Sequence, residues 1–115
     1  MKKKTSSQFW KKLSKIEPNR LECEMLGVLV WLGLDYKYTG NAGFILHGKC
    51  PDFVNYKEKK IIEVFGERWH KPEEEEEKII FFARAGYKTL IIWQKELMMR
   101  NRKNLYSRLK KFSEL

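Results

Sequence analysis

Two cysteines in 115 residues, Cys23 and Cys50, form no CxxC pair. That argues against a zinc site built from thiolates and fits a reducing cytosol. No apolar run approaches the roughly 20 residues that cross a bilayer, so a membrane is not an expected partner. The N-terminus is basic but lacks a continuous apolar segment, so it does not read as a secretory signal, and the expected location is cytoplasmic. Internal repeats and low-complexity linkers are absent as well. With 43% hydrophobic and 14% aromatic residues, the chain has the composition of one folded domain over 1–115 with a modest core.

Charge is present in excess, and it is unevenly placed. The net charge is +9; residues 1–20 carry +6 and residues 94–115 carry +5, around a centre of −2. Two basic ends on a nearly neutral body favour a polyanion, nucleic acid ahead of a membrane surface. The residues that would meet it are Lys2, Lys3, Lys4, Lys11 and Lys12 at one end and Arg100, Arg102 and Lys103 at the other. A soluble protein with solvated, lysine-rich ends is the bland alternative.

Residues 51–70, PDFVNYKEKKIIEVFGERWH, organise the rest. Phe53-Val54 follows Asp52, and Ile61-Ile62 and Val64-Phe65 flank Glu63. Such runs read as strands, and Asn55 to Glu58 as the turn between them. A turn centred on Lys57-Glu58 sets Asp52 opposite Glu63, with Cβ atoms roughly 4.5–5.5 Å apart. Two carboxylates that close repel each other and are poorly solvated in apolar surroundings, a conflict that a hard divalent cation removes. The competing arrangement is equally physical. Lys57-Glu58 is poor chemistry for a two-residue turn, and a one-residue slip sends one carboxylate to the other face. Asp52 would then merely start a strand, and Glu63 would pair with a lysine.

In chain order, Phe9, Trp10, Leu13 and Ile16 predict a short helix that Pro18 ends. Asn19 caps a second helix with Glu22 at N3 of a capping box, which by itself accounts for Glu22. Leu21, Met25, Leu26, Leu29, Val30 and Leu32 make that helix largely buried, and Gly33 stops it. Strands are expected at 35–38, 44–47, 52–55 and 61–65, with His47 at a strand end or on the surface. Pro72 and Glu73 to Glu77 begin a third helix, their acidic side chains matched to its positive end. Ile79, Ile80, Phe82 and Ala83 form its buried face. Tyr87 to Trp93 predicts a strand buried on both faces. The last helix, from about Lys95 to Phe112, turns Leu97, Met98, Leu105, Leu109 and Phe112 inward and a basic face outward. The division is a basic extension over 1–18, a core over 19–97 and a basic C-terminal helix over 95–112. A hairpin followed by a right-handed crossover helix and a parallel strand gives an α/β fold with a central mixed sheet flanked by helices.

Four pieces in order, Glu22 ahead of Gly33, Pro51-Asp52-Phe53-Val54, Gly66-x-x-Trp69-His70 and Gly86-Tyr87 through Leu90-Ile91-Ile92-Trp93 to Leu97, resemble the PD-(D/E)xK nuclease superfamily. Within it the chain resembles the very-short-patch repair endonuclease branch, most of all the phage homing endonucleases with a Glu, Asp, x, His, Asp series. The resemblance covers 19–97 and implies a restriction-endonuclease-like core. Glu22, Asp52 and His70 match the first, second and fourth places of that series, and Glu75 is the choice for the last, with Glu74, Glu76 and Glu77 beside it. Phe65 stands where the superfamily has its lysine, which excludes lysine-assisted water activation. The structural zinc cluster of the mismatch-repair enzyme is also missing.

The resemblance implies an endonuclease that hydrolyses double-stranded DNA with Mg²⁺ or Mn²⁺, in the cytoplasm of a bacterium or of a phage-infected host. Asp52 would ligate the ion, Glu63 would be a second ligand or orient bound water, and Glu22 would reach a metal-bound water. His70 would act as general base or acid, since imidazole titrates near neutrality. A separate DNA-recognition domain or a homodimer would complete the enzyme. A stand-alone repair nuclease and a DNA-binding module without catalysis are the competing readings.

Overall fold

The structure is a computed structural model that describes residues 18–115. The expected helix over 9–16 and Lys2, Lys3, Lys4, Lys11 and Lys12 lie outside the described residues. Helix α1 spans Arg20–Trp31, strand β1 Lys37–Tyr38, β2 Phe53–Asn55 and β3 Lys60–Phe65. Helix α2 follows at Glu73–Ala83, then β4 at Lys88–Trp93 and helix α3 at Arg102–Ser113. The four strands form one mixed sheet in the order β1-β2-β3-β4, antiparallel except for β3 and β4, which run parallel across the α2 connection.

Strand alternation assigns the two faces. Phe53, Ile62, Val64 and Ile92 face α1 and α3, meeting Met25, Val28 and Leu29 from one helix and Leu105, Leu109 and Phe112 from the other. Val54 and Ile61 face α2 and pack with Phe82, Phe44, Leu46, Phe81 and Tyr87. Each fully buried aliphatic or aromatic side chain contributes about 1.5–3 kcal/mol. The larger α1/α3 cluster therefore carries most of the stability, and the α2 face is free to carry polar groups. Lys60, 2% exposed, ties the hairpin to this frame by donating to Glu58 Oε1 at 2.8 Å and to the Ser113 carbonyl at 3.1 Å. Its cation sits at the negative end of α3, where the macrodipole favours it.

α1 begins with the expected capping box. Asn19 Oδ1 accepts from the Glu22 N–H at 2.8 Å, and Glu22 Oε1 accepts from the Asn19 N–H at 3.0 Å. Gly33, at φ +70°, ends it. Val30, expected inside, is 71% exposed at the far end of the helix.

Four expectations give way to the structure. Residues 44–47 are not a strand: they hold a single bridge between Leu46 and Lys49, closed by His47 and Gly48 at positive φ. Phe44 and Leu46 spend their apolar surface on the α2-side cluster, so no second strand is needed to bury them. β4 lies at the end of the sheet and is buried only at Ile91 and Ile92, whereas β3, flanked by strands and covered on both faces, is buried throughout. On α2 only Phe82 is fully buried, and Ile80 is 44% exposed, because the helix packs chiefly over β4 at the end of the sheet. Finally, α3 starts at Arg102 instead of about Lys95. Two 3-10 turns, Gln94–Leu97 and Met99–Asn101, precede it with Met98 extended between them. Side chains replace the missing helical bonds there: Asn101 Nδ2 donates to the Lys95 carbonyl at 2.7 Å and Arg102 Nε to the Leu97 carbonyl at 2.7 Å. Leu97 is still buried, but Met98 is 46% exposed.

Candidate active site

The β2–β3 register pairs Phe53 with Ile62, Val54 with Ile61 and Asn55 with Lys60. Continued by one residue, it sets Asp52 beside Glu63 on the α2 face. The Asp52 carboxylate accepts the Val64 N–H at 2.9 Å, and its own carbonyl accepts the Thr39 N–H at 2.8 Å. Thr39 Oγ1 fixes the preceding peptide by donating to the Pro51 carbonyl at 2.8 Å. Asp52 is thus locked at the mouth of the hairpin.

Glu63 is 4% exposed, and its Oε1 has no hydrogen-bond partner among the described residues. Burial pushes the Glu63 carboxyl up to about 10; the Asp52 carboxylate adds to the push and Lys78 opposes it. Glu22 comes in from the first turn of α1, and the Tyr38 hydroxyl donates to its Oε1 at 3.3 Å. Its carboxyl is also raised, by burial first and by Asp52 further down, while the Asn19 backbone N–H holds it back. Glu22 thus caps its helix and faces Asp52 with the same carboxylate.

Gly66 ends β3, and its carbonyl accepts the N–H groups of Trp69 and His70 at 3.0 and 3.1 Å. This turn folds His70 back over the last residue of the strand. The imidazole stacks on Phe65 with centroids 3.9 Å apart and planes 8° from parallel. Phe65 is therefore the platform on which the histidine lies. Nδ1 of His70 is 2.8 Å from Glu74 Oε2. The same contact lowers the Glu74 carboxyl below its ordinary value. An ionised carboxylate only accepts, so Nδ1 carries a hydrogen, and in the neutral ring Nε2 holds the lone pair. Among the described residues Nε2 has no partner.

Glu75, expected at the last acidic place, instead accepts from Trp93 Nε1 at 2.9 Å. The carboxylate that reaches His70 belongs to Glu74, four residues on, while Glu75 is rotated towards β4. The sequence pattern did not single out Lys78 or Arg20 either; both line the cleft. Lys78 stands four residues after Glu74 on the same face of α2, a spacing that would have revealed it.

Glu22, Asp52, Glu63 and His70 line one cleft of about 510 Å³, together with Arg20, Phe65, Trp69, Lys78 and Gln94. A second groove of about 770 Å³ adjoins it through Arg20, Leu21 and Gln94 and is lined by Met98, Met99 and Arg102. Arg102 thus stands near the cleft; Arg100 is exposed beyond it, and Lys103 lines a different depression with Leu32, Leu34 and Tyr106.

Among the described residues, no group of three or more His, Cys, Asp or Glu side chains is arranged to hold a metal ion. Mg²⁺ asks for less, since it usually takes one or two carboxylates and completes its shell with water and substrate phosphate oxygens. The orphaned Oε1 of Glu63 beside the Asp52 carboxylate fits that donor set. No helix among the described residues is long and apolar enough to cross a membrane.

No family model and no curated protein matches the chain. Among solved structures it is similar to the catalytic domain of the homing endonuclease I-Bth0305I, with a TM-score of 0.61 and 19% identity, over 83% of this chain and 94% of that domain. The likeness is one of fold: an α/β domain with the architecture of an endonuclease catalytic domain.

Proposed function

We propose that the chain is a metal-dependent endonuclease that hydrolyses phosphodiester bonds of double-stranded DNA. In this reading it is the catalytic module of a phage-type homing or nicking endonuclease of the very-short-patch-like PD-(D/E)xK branch, and residues 1–115 form one catalytic domain. The observation that carries the proposal is the buried, half-orphaned Glu63 carboxylate beside Asp52, in a cleft that also holds Glu22 and His70. A structural acid pair would cost stability without return; a cation site returns it.

Asp52 and Glu63 would hold Mg²⁺ or Mn²⁺. The ion, when bound, would neutralise a non-bridging phosphate oxygen and make bound water more acidic. Glu22, fixed by the Asn19 N–H and the Tyr38 hydroxyl, would orient a water in the cleft. His70 would take the water's proton at Nε2, while Glu74 at Nδ1 fixes the tautomer and stabilises the imidazolium that forms. The Phe65 stack keeps the ring in that orientation. Arg20 and Arg102, near the cleft and its adjoining groove, would hold the duplex through its phosphates.

Supercoiled plasmid tests the proposal. The purified chain should nick or linearise it with Mg²⁺ and leave it intact in EDTA. No strand scission at any Mg²⁺ or Mn²⁺ concentration would refute it.

A further inference from the structure

The acidic cleft has an electrostatic problem of its own. Glu22 and Asp52 face it beside the buried Glu63 carboxyl, and a phosphodiester entering it carries the same sign of charge as an ionised carboxylate. Among the described residues, two cationic side chains line the cleft, Arg20 and Lys78. The Arg20 side chain is 95% exposed at the rim and pairs with Glu24 at 3.6 Å, an exposed pair that a duplex phosphate can displace but that keeps its charge in solvent. Lys78 differs on both counts. It is half-buried on α2 and makes no ion pair among the described residues. Glu74, the natural partner one turn earlier, is held by His70. The ammonium instead stands 5.8 Å from the Phe82 ring centroid, so its stem rests on that buried ring.

Lys78 also lines a second depression of about 220 Å³ with Lys49, Phe65, His70, Glu74 and Glu77. Phe65, His70 and Lys78 are shared by the two cavities, so Lys78 stands where the acidic cleft passes the histidine into a second hollow. A lysine built to neutralise Glu63 would satisfy its buried Oε1, yet that oxygen is left without a partner. The ammonium eases the burial of that carboxyl without bonding it and lines the cleft uncommitted to Glu63.

We propose that Lys78 is a phosphate-binding residue, whose ammonium donates to a non-bridging oxygen of a DNA backbone phosphate lodged between Glu63 and His70. The inference rests on reading the cleft as a phosphodiester site. An ammonium is a compact point charge with three donors, suited to a phosphate whose orientation the carboxylate pair and the histidine determine. Lys49, exposed at the second hollow and 4.5 Å from the Phe81 ring centroid, continues the basic path beyond it.

The test compares Lys78→Met and Lys78→Arg with the wild type in two assays. The first measures affinity for a blunt DNA duplex in EDTA across a salt series. Lys78→Met should lower the slope of log K against log salt by about 0.9, the share of one neutralised phosphate, and Lys78→Arg should keep it. The second measures single-turnover cleavage with Mg²⁺ at saturating DNA, where Lys78→Met should lose about 10²-fold, as when one oxyanion donor is removed. Both variants keep a stem over Phe82, thermal unfolding checks their fold, and Lys78→Gln repeats the comparison if Lys78→Met does not fold. An unchanged slope overturns the proposal, and so does a slower rate at an unchanged slope, which would make Lys78 a positioning residue for Glu63. A wild type that does not cleave, with a slope that still drops in Lys78→Met, removes the nuclease reading and leaves the phosphate site standing.

Discussion

His70 lies flat on Phe65, ring centroids 3.9 Å apart, with its Nδ1 held by Glu74. A ring clamped on one face and one edge leaves Nε2 as its nitrogen without a partner among the described residues. If that atom is the proton acceptor, His70→Ala should lose roughly 10²–10⁴-fold in single-turnover rate and lose the rising limb of the pH–rate profile. Glu74→Gln should fall between the two, because the ring loses the carboxylate that holds its Nδ1. A His70→Ala variant with near wild-type rate and an unchanged profile would reduce the histidine to a packing residue.

Glu63 makes the metal-free protein sensitive to pH in an unusual direction. Its carboxyl is raised from 4.5 to about 10 by burial and by Asp52, so the folded state holds a proton that the unfolded state releases. A carboxyl raised in this way opposes folding as pH rises: stability should fall between about pH 4.5 and pH 10, by as much as about 1.4 kcal/mol per pH unit. Thermal unfolding in EDTA should show that fall in the wild type and a flatter profile in Glu63→Gln. Adding Mg²⁺ at pH 8 should stabilise the wild type and leave Glu63→Gln nearly unmoved. Identical pH profiles for the two proteins would contradict the buried-acid account of Glu63.

Gly40 bears on Glu22 through Tyr38. A Cβ at Gly40 would come within 2.8 Å of Tyr38 Cε1 and its hydroxyl oxygen, and that hydroxyl donates to Glu22. Tyr38→Phe and Gly40→Ala should therefore share one effect, a modest loss of cleavage rate of about threefold to tenfold, matching one hydrogen bond of about 0.5–1.5 kcal/mol. Circular dichroism should be unchanged in both. If Tyr38→Phe cleaves at the wild-type rate, Glu22 needs no anchoring by the tyrosine.

The basic ends should make DNA affinity fall steeply with salt. Deleting residues 1–8 removes Lys2, Lys3 and Lys4 and should flatten the salt slope by about 0.9 for each phosphate that those lysines neutralise. Arg102→Ala should flatten it as well, and Lys103→Ala less, because Lys103 lines a depression with Leu32 and Leu34 instead of the groove beside the cleft. Equal slopes for both substitutions would place the duplex along α3.

The hairpin was legible for a reason that its turn residues hide. Lys57-Glu58 does not form a two-residue turn; the loop is Tyr56 to Lys59, with Lys59 at φ +54° and Asn55 Oδ1 accepting the Glu58 N–H. Both loops share one centre, so the register came out the same and brought Asp52 to Glu63. The capping box at Asn19 and the stop at Gly33 were legible because each depends on residues a few positions apart. What stayed hidden depends on distant partners. The burial of Phe44 against Val54 and Ile61, the interrupted start of α3 and the turning of Glu74 to His70 and of Glu75 to Trp93 are decided by packing that local periodicity does not encode.

Asp52 offers the most direct measurement. Asp52→Ala removes one of the two carboxylates that would hold the cation and leaves the basic groove intact. Duplex affinity in EDTA and plasmid cleavage with Mg²⁺ should be read on the same preparation, beside the wild type. The expected result is a variant that binds DNA about as well as the wild type and does not cut it. Full Mg²⁺-dependent cleavage by Asp52→Ala would contradict the assignment of this cleft as the catalytic centre.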